Sequence, residues 1–273
     1  MFTLVAGTGY TGGRVLERLP ADASLGLGRS PPDTKWPFAR VDFDTLESLP
    51  LALPGHYAVL YTCPPGNNDD APLRRFLAAL TPAPRRFVYI STTGVYGDCQ
   101  GRVVTEDSPV NPESPMAKPR IAAESRLAEW AQGNACRLVV LRVPGIYGPG
   151  RLGIERIRKG SASIREEDAS PGNRIHVDDL VGCCLAALDD GTPAGTYNVG
   201  DGDHRSATWF AGEVARQAGL PEPRKISRAE AGKEFSPMRL AFLASSRIVD
   251  TTKMREVLGV TPRSPEQGIK DSL

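Results

Sequence analysis

The sequence predicts an α/β fold built on a doubly wound parallel sheet. Short β-rich runs alternate with helical patterns through roughly the first two hundred residues, an order typical of consecutive βαβ units. Several of these runs, including FTLVA near the start of the chain and LVVLRV at 138–143, are apolar without alternation. Strands that are covered by helices on both faces have this character.

The predicted elements follow one another in a regular order. The strand FTLVA comes first and is followed by a helix over 11–19. The next β-rich and helical runs are, in order, SLGLG, TLESL, YAVLYT, PLRRFLAAL, RFVYIST, RIAAESRLAEWAQ, RLVVLRV, VDDLVGCCLAALDD and TYNVG. Among these runs, TLESL is helix-like.

The regular alternation stops after Gly148. The later pieces are a helix at ATWFAGEVARQAG, a proline-rich stretch and a strand-helix pair at SRIVDTTKMREVLG, and they are too short for an independent core. We therefore expect residues 1–148 to form the core, to which 174–200 return. Residues 149–173 and 201–273 are expected to form a small lobe over one edge of the sheet.

The composition narrows the range of partners. Lys and Arg number 33 and Asp and Glu 32, so the net charge is +1 and no broad field favours nucleic acid or an anionic membrane. We expect a small-molecule substrate, which the sequence does not identify, and it leaves the oligomeric state open. The three histidines are scattered without ligand spacing, so no metal is expected.

The cysteines and the N-terminus indicate a cytoplasmic protein. The five cysteines are odd in number and contain no C-x-x-C pair, so we interpret them as reduced thiols. The first residues lack a basic region before their short apolar run, which ends in a glycine loop. No window approaches the roughly 18 apolar residues that span a bilayer.

A glycine motif follows the first strand directly. Gly7, Gly9 and Gly12 form G-x-G-x-x-G between FTLVA and a helical pattern. The first glycine permits a tight turn, the second lets the backbone approach a pyrophosphate, and the third allows close helix packing. The pattern predicts a dinucleotide-binding Rossmann core, with cofactor contacts from the loop residues Gly7, Thr8, Gly9, Tyr10, Thr11 and Gly12.

The end of the second strand favours NADP over NAD. An NAD-preferring site usually has an acidic residue here, whereas this chain has Arg29 and Ser30. An arginine fork suits the 2′-phosphate of NADP. After the third strand, Asp42 is a candidate to accept from the adenine amino group, or it caps a helix near Thr45.

Four further motifs occur in order after the glycine loop: STTGVYG at 91–97, LRVPGIYGPG at 141–150, RIHVDDL at 174–180 and TYNVGDG at 196–202. Together they resemble the extended short-chain dehydrogenase/reductase superfamily, in its NAD-dependent epimerase/dehydratase group. The pair Arg29-Ser30, the prolines Pro64-Pro65 and the short chain are closer to its atypical members.

The resemblance implies roles for particular residues. The Ser or Thr that orients the substrate oxygen falls on Thr92, with Ser91 and Thr93 as alternatives, and Ser91 also counts among the cofactor contacts. Residues next to the nicotinamide would be Pro144, Gly145 and Ile146, and those beside its ribose would be Thr62, Cys63 and Pro64.

Other residues of these motifs have two interpretations. Tyr96, Tyr147 and Arg151 face the substrate cleft or are ordinary packing residues. His176 and Asp178 would form an acid-base pair, but in the family this segment mainly docks the small lobe and begins a helix, and we favour the structural role.

The family's catalytic Tyr and Lys are absent. They are spaced Y-x-x-x-K, so that one helical turn places them on the same face. Alignment on I-A-A-E at 121–124 puts Met116 at the Tyr position and Arg120 at the Lys position. Methionine carries no proton, whereas Arg120 can still bind ribose hydroxyls. A shifted register would pair Ser114 with Lys118, but the proline at 119 predicts that the helix begins there.

The sequence therefore predicts an atypical member of this superfamily that binds NADP(H) and acts by hydride transfer on a small or nucleotide-linked carbonyl or hydroxyl compound. Thr92 would position the substrate oxygen and Arg120 the cofactor, while Tyr96, Tyr147 or a water would replace the missing acid. The alternative is a non-catalytic NADP(H) sensor or interaction protein. Met116 and the short lobe disfavour an ordinary sugar-nucleotide epimerase.

Overall fold

The computed structural model describes residues 1–31, 35–65, 70–236, 239–240, 243 and 245–273. In these ranges the strands are β1 (Phe2–Ala6), β2 (Ser24–Gly28), β3 (Phe38–Arg40), β4 (Tyr57–Tyr61), β5 (Arg86–Thr92), β6 (Val103–Val104), β7 (Arg137–Val143), β8 (Gly145–Tyr147), β9 (Ser163–Ile164), β10 (Arg174–His176), β11 (Gly195–Asn198), β12 (Lys225–Ile226) and β13 (Ile248–Val249).

The helices in the same ranges are α1 (Tyr10–Leu16), α2 (Ala71–Ala79), α3 (Lys118–Gly133), α4 (Ile154–Arg158), α5 (Val177–Leu188), α6 (Ala207–Gln217), α7 (Arg228–Glu234), α8 (Thr252–Leu258) and α9 (Pro265–Lys270). Short 3-10 turns occur at Ala21–Ala23, Thr93–Tyr96 and Glu166–Asp168. Among the helices of the described residues, none combines the length and the apolar character needed to cross a membrane.

Seven parallel strands form the central sheet in the order β3-β2-β1-β4-β5-β7-β11. The chain builds outward from β1 in one direction and then returns to build outward from β4 in the other. The predicted doubly wound parallel sheet is therefore confirmed. In such a sheet, ligands bind where the order reverses, at the carboxyl ends of the strands, which here means the ends of β1 and β4.

Helices cover both faces of the sheet, which explains the unbroken apolar runs. On one face, Val5 and Leu60 pack in a core cluster with Cys184 from α5. On the other face, Leu4 and Val59 pack in a second cluster with residues of α2 and α3. Because successive strand residues point to opposite faces, each strand supplies both clusters.

Two predicted helices differ from the observed structure. TLESL is not helical, because the chain turns at 43–45. The Asp42 carboxylate accepts from the Asp44 amide at 3.0 Å, a local bond that competes with helix formation, and Pro50 follows closely. Helix α1 ends at Leu16 and not at 19, since the last turn tightens just before Pro20.

The small lobe is built on short elements. Strands β9 and β12 pair with each other, and α7 packs over them through Ala231. The chain returns to the core at two points, after Asn173 and after Arg247, and the Asn173 side chain donates to the Arg247 carbonyl. Strand β13 follows Arg247 and pairs with β6. Helix α8 also packs on the core, through Met254.

Candidate functional site

The glycine loop lies at the point where the strand order reverses. Gly7 follows β1 with φ +96°, a conformation that favours glycine, and its amide donates to the Leu27 carbonyl at 2.8 Å. A Cβ at Gly12 would overlap the Gly7 carbonyl oxygen, so α1 can pack this close to β1 only with glycine there. Backbone conformation and packing therefore explain the glycines at positions 7 and 12 without any ligand.

Gly9 has a different environment. A Cβ at this position would meet nothing within 4 Å, so neither packing nor clash within the described residues requires glycine there. Gly9 is also the N-cap of α1, no side chain caps this terminus, and the first turn contains no acidic residue. Open space in front of free amides at a helix N-terminus fits the pyrophosphate of a dinucleotide. Thr11 is buried behind it within the helix.

The end of β2 carries an arginine without a partner. Arg29 is exposed, and no hydrogen bond or ion pair joins its guanidinium to another described residue. The adjacent Ser30 carbonyl accepts from the Thr8 hydroxyl at 3.3 Å, which ties this strand end to the glycine loop. Asp42 is exposed after β3. It caps a turn, whereas one of the two interpretations of the sequence expected it to cap a helix near Thr45.

The end of β4 closes the loop from the other side. The Thr62 hydroxyl donates to the Gly7 carbonyl at 2.7 Å, and Cys63 lies directly against Gly7. Burial raises the pKa of Cys63 to about 12, although the nearby charges of Arg120 and Arg29 act in the opposite direction. The Cys63 side chain is therefore a neutral thiol that lines this side of the glycine loop. Pro64 follows and is exposed.

Thr92 is the last residue of β5. Its Oγ1 accepts from the Gly94 amide at 3.1 Å, so its hydrogen is free to donate. Ala117, just before α3, lies on the other side of Gly94 and brings that helix next to the turn. Thr93 is buried, and the buried Ser91 hydroxyl donates to Glu124. Among these three hydroxyl residues, Thr92 is the most accessible.

Helix α3 begins as its proline predicts, with Lys118 as its first residue and Pro119 in its first turn. Met116 precedes the helix and is 70% exposed. Ser114 does not replace the missing tyrosine on the helix, because its hydroxyl accepts from the Ala117 amide at 3.1 Å and closes the turn. Arg120 donates to the Ile90 carbonyl at 2.6 Å, which holds its charge beside the end of β5.

Both candidate tyrosines are buried. Tyr96 is 1% exposed, and its hydroxyl donates to Asn198 at 2.7 Å and accepts from Arg142 at 2.9 Å. Tyr147 is 4% exposed and packs edge-on against Phe210, with its hydroxyl beside Gly268. Burial raises the pKa of Tyr147 and of Tyr96. This placement argues against either phenol as the proton donor.

A buried polar network, which the sequence reasoning did not identify, braces this end of the site. Glu124 on α3 pairs with Arg142 on β7 at 2.8 Å, and both residues are buried. The pair joins Ser91 and Tyr96 across two strands and the helix. Glu124 is the last residue of the I-A-A-E segment used for alignment, and a charged residue inside an apolar strand, as Arg142 is, was the available signal.

Residues after β7 complete the cleft. Gly145 is exposed, while Pro144 and Ile146 are partly buried. His176 is buried and has two partners, the Asp178 amide at 3.2 Å and Ser272 at 3.0 Å. Burial lowers its pKa, so it is neutral and structural. Within the described residues, no group of three or more His, Cys, Asp or Glu is arranged to hold a metal ion.

Comparison with known proteins agrees with this geometry. Residues 71–200 match the model of the NAD dependent epimerase/dehydratase family. UDP-glucose 4-epimerase of Mycolicibacterium smegmatis is 31% identical over 194 residues, which cover 66% of this chain and 58% of the relative. The family model covers just under half of the chain, and together with this relative it supports an assignment to the extended short-chain dehydrogenase/reductase superfamily. The chain spans only about three fifths of the length of such curated relatives.

Solved structures extend the similarity over the whole chain. A functionally unknown conserved protein from Silicibacter pomeroyi is 28% identical, with a TM-score of 0.82, and the match covers 99% of this chain and 97% of that one. MoeE5, solved with UDP-glucose and NAD, is 22% identical with a TM-score of 0.78 and covers 100% and 97%. The second likeness concerns the fold alone.

Proposed function

We propose that the protein binds NADP(H) and is an oxidoreductase that acts on a small or nucleotide-linked carbonyl or hydroxyl compound. The observation that carries the cofactor choice is the end of β2, where Arg29 stands in place of a carboxylate, is exposed and has no partner among the described residues. A guanidinium there favours the doubly charged 2′-phosphate, whereas a carboxylate would favour the ribose hydroxyls of NAD.

The glycine loop supports the rest of the cofactor site. The open position at Gly9 would receive the pyrophosphate, and Thr62, Cys63 and Arg120 line the adjoining strand ends. Gly145 and Ile146 would border the nicotinamide through backbone groups. When bound, this cofactor supplies or accepts a hydride, and the chain's own residues bind, orient and exclude water.

Thr92 would orient the substrate oxygen. Its Oγ1 already accepts from the Gly94 amide, which leaves the hydroxyl hydrogen available to donate to a substrate oxygen. Because position 116 is methionine, Arg120 has no neighbouring phenol to activate. Its proposed role is to bind the ribose hydroxyls. With Tyr96 and Tyr147 buried and Met116 exposed, solvent would deliver the proton.

Two observations bear on the substrate and on the reaction. The relative that is 31% identical is named a UDP-glucose 4-epimerase, which favours a nucleotide-linked compound. Met116 at the tyrosine position favours a different reaction from ordinary epimerisation, since that reaction needs the phenol to move a proton. We therefore place the chain among reductases or dehydrogenases of this family.

A single-turnover screen tests the proposal. The purified chain is mixed with NADPH and a panel of aldehydes, ketones and nucleotide-linked keto sugars, and absorbance at the reduced-nicotinamide band is followed. Oxidation that depends on one carbonyl, with slow turnover, is the expected result. Tight NADPH binding with no oxidation across the panel would favour the second candidate function, a non-catalytic NADP(H) sensor, which Met116 also supports.

A further inference from the structure

Two arginines stack over the ring of one tyrosine beside the glycine loop. The guanidinium carbon of Arg14 is 4.2 Å from the centroid of the Tyr10 ring, and that of Arg151 is 3.8 Å from it. Arg14 belongs to α1, whereas Arg151 lies in the loop that follows β8. Two segments far apart in sequence thus place two positive charges at the start of α1.

The two segments are joined by direct contacts. The Tyr10 hydroxyl donates to the Pro149 carbonyl at 3.1 Å. A Cβ at Gly148 would lie 2.6 Å from that hydroxyl, so the loop approaches Tyr10 as closely as glycine allows. Gly150, with φ +77°, has nothing within 4 Å of its Cβ position, as Gly9 does. A second glycine-rich loop, 148–153, therefore contacts the first through Tyr10, and each loop contains a glycine with open space at its Cβ position.

The charges of this stack are not balanced by acids. Neither Arg14 nor Arg151 forms an ion pair with a described residue, although many other arginines of the chain do. Asp178 is near enough to act on the pKa of Tyr10, but it lies 3.7 Å from Arg263 and is already paired. Two like charges on one ring repel each other, and an anion between the loops would relieve that repulsion.

The two guanidinium groups differ in how many of their N–H donors are available to a ligand. Arg14 donates one N–H to the Tyr10 carbonyl at 2.8 Å, so part of its fork is occupied. The Arg151 side chain is exposed, and apart from the ring it has no partner among the described residues. Arg151 can therefore turn its whole fork to a phosphate, while Arg14 holds Tyr10 in place and adds charge.

We propose that Arg14 and Arg151, stacked on Tyr10, bind the pyrophosphate of the dinucleotide, with Arg151 as the direct contact and Arg14 as the positioning residue. This inference rests on the proposed cofactor binding. It assigns to the loop 148–153 a share in a site that the glycine motif alone does not reveal. It also separates two anion sites, since Arg29 would take the 2′-phosphate.

Calorimetric titration of the full chain with NAD+, NADP+, ADP-ribose and adenosine tests the assignment. ADP-ribose contains the pyrophosphate, whereas adenosine has no phosphate. Arg151→Ala should weaken binding of ADP-ribose, NAD+ and NADP+ alike by about tenfold, the loss of one charge-assisted pair, and leave binding of adenosine nearly unchanged. Arg14→Ala should act in the same direction by a smaller factor, and Arg151→Lys should restore part of the affinity.

Arg18→Ala is the matched control, because Arg18 lies just beyond the same helix, is exposed and is remote from its N-terminus. It should bind every ligand as the parent does. Unchanged ADP-ribose affinity in folded Arg151→Ala, or an equal loss for adenosine, would overturn the assignment while the cofactor proposal stands. If the parent itself binds no dinucleotide, the proposed function fails and this inference fails with it.

Discussion

The site has a cofactor end, formed by the glycine loop, and a reaction end, formed by Thr92 and the start of α3. The two ends retain different features. At the cofactor end, the turn at Gly7, the close packing at Gly12 and the open position at Gly9 are all present. At the reaction end, Thr92 and a cation at 120 remain, but Met116 stands where a phenol would be. Features made by the backbone are kept, whereas the side chain that moves a proton is missing.

The difference teaches that the backbone features of the glycine loop and the side chain that moves a proton can change separately in this fold. Cofactor binding depends on where backbone amides and glycines lie, and these positions also satisfy the packing of α1 on β1. Proton transfer depends on one side chain, whose replacement costs the fold nothing when that side chain is exposed, as Met116 is. Each prediction below acts on one end and asks whether the other end responds.

The largest effects are expected within the glycine loop, where two substitutions should fail for different reasons. Gly9→Val should abolish binding of NAD(P) and keep the fold, because its side chain would enter space that is open in the protein. Gly12→Val should disrupt folding itself, because even a Cβ overlaps the Gly7 carbonyl. Circular dichroism and cofactor titration on both variants measure the two losses. A folded Gly9→Val protein that still binds cofactor would show that the phosphate loop is misplaced.

Removing one partner of the buried ion pair should affect stability more than binding. Glu124→Gln leaves the Arg142 guanidinium buried without its counter-charge, and the free energy of unfolding should fall by about 3 to 5 kcal/mol. Urea denaturation measures this loss. Glu129→Gln is the control, since Glu129 lies on the exposed side of the same helix. Equal stability of Glu124→Gln and the parent would contradict the bracing role of the pair.

The reaction end should depend on the Thr92 hydroxyl and not on residue 116. Thr92→Val keeps the volume but removes the donor, and single-turnover NADPH oxidation should slow by about 10² to 10³, as for loss of an oriented donor. Met116→Ala should change the rate little. Tyr96→Phe should act mainly on stability, because it removes the hydrogen bonds to Asn198 and Arg142. Tyr147→Phe should change both rate and stability little, because the Tyr147 hydroxyl has no hydrogen-bond partner among the described residues. If a tyrosine variant loses the most turnover while folded, the buried phenol is the acid after all and the comparison of the two ends changes.

The smallest effect should be a change of cofactor preference at Arg29. Arg29→Ala should lower the affinity for NADP(H) by about tenfold or more and leave NAD(H) unchanged, because the charge-assisted bond to the 2′-phosphate is worth about 1.5 to 3 kcal/mol. Titration with both cofactors gives the ratio directly. Arg40→Ala, a substitution of another exposed arginine at the end of the neighbouring strand β3, is the control. Parent protein with equal affinities for the two cofactors would refute the NADP preference.

Local sequence rules predicted the parts of the site that depend on a few neighbouring residues. The glycine spacing predicted the turn after β1, and Pro119 predicted the start of α3. The apolar strand runs predicted a sheet covered on both faces. The rules failed at TLESL, where a single Asp42 side-chain bond and a following proline outweighed a short helical pattern.

Long-range contacts decided the remainder. From the sequence, Tyr96 and Tyr147 were equally compatible with a cleft and with the core, and it is Arg142, Asn198 and Phe210 that bury them. The stacking of Arg14 and Arg151 on Tyr10 likewise requires the loop after β8 to fold back on α1. Apart from Arg14, which lies one helical turn from Tyr10, none of these partners is close in sequence to the residue that it contacts.

By itself, the sequence determined the α/β class, the glycine loop and the absence of the Tyr-Lys pair. Each of these depends on residue type and on spacings shorter than one βαβ unit, over which backbone geometry is nearly fixed. Only the tertiary structure decided which hydroxyl stays accessible, which phenols are buried and where unpaired arginines meet, because side-chain burial depends on packing between strands that are adjacent in the sheet and distant in the chain.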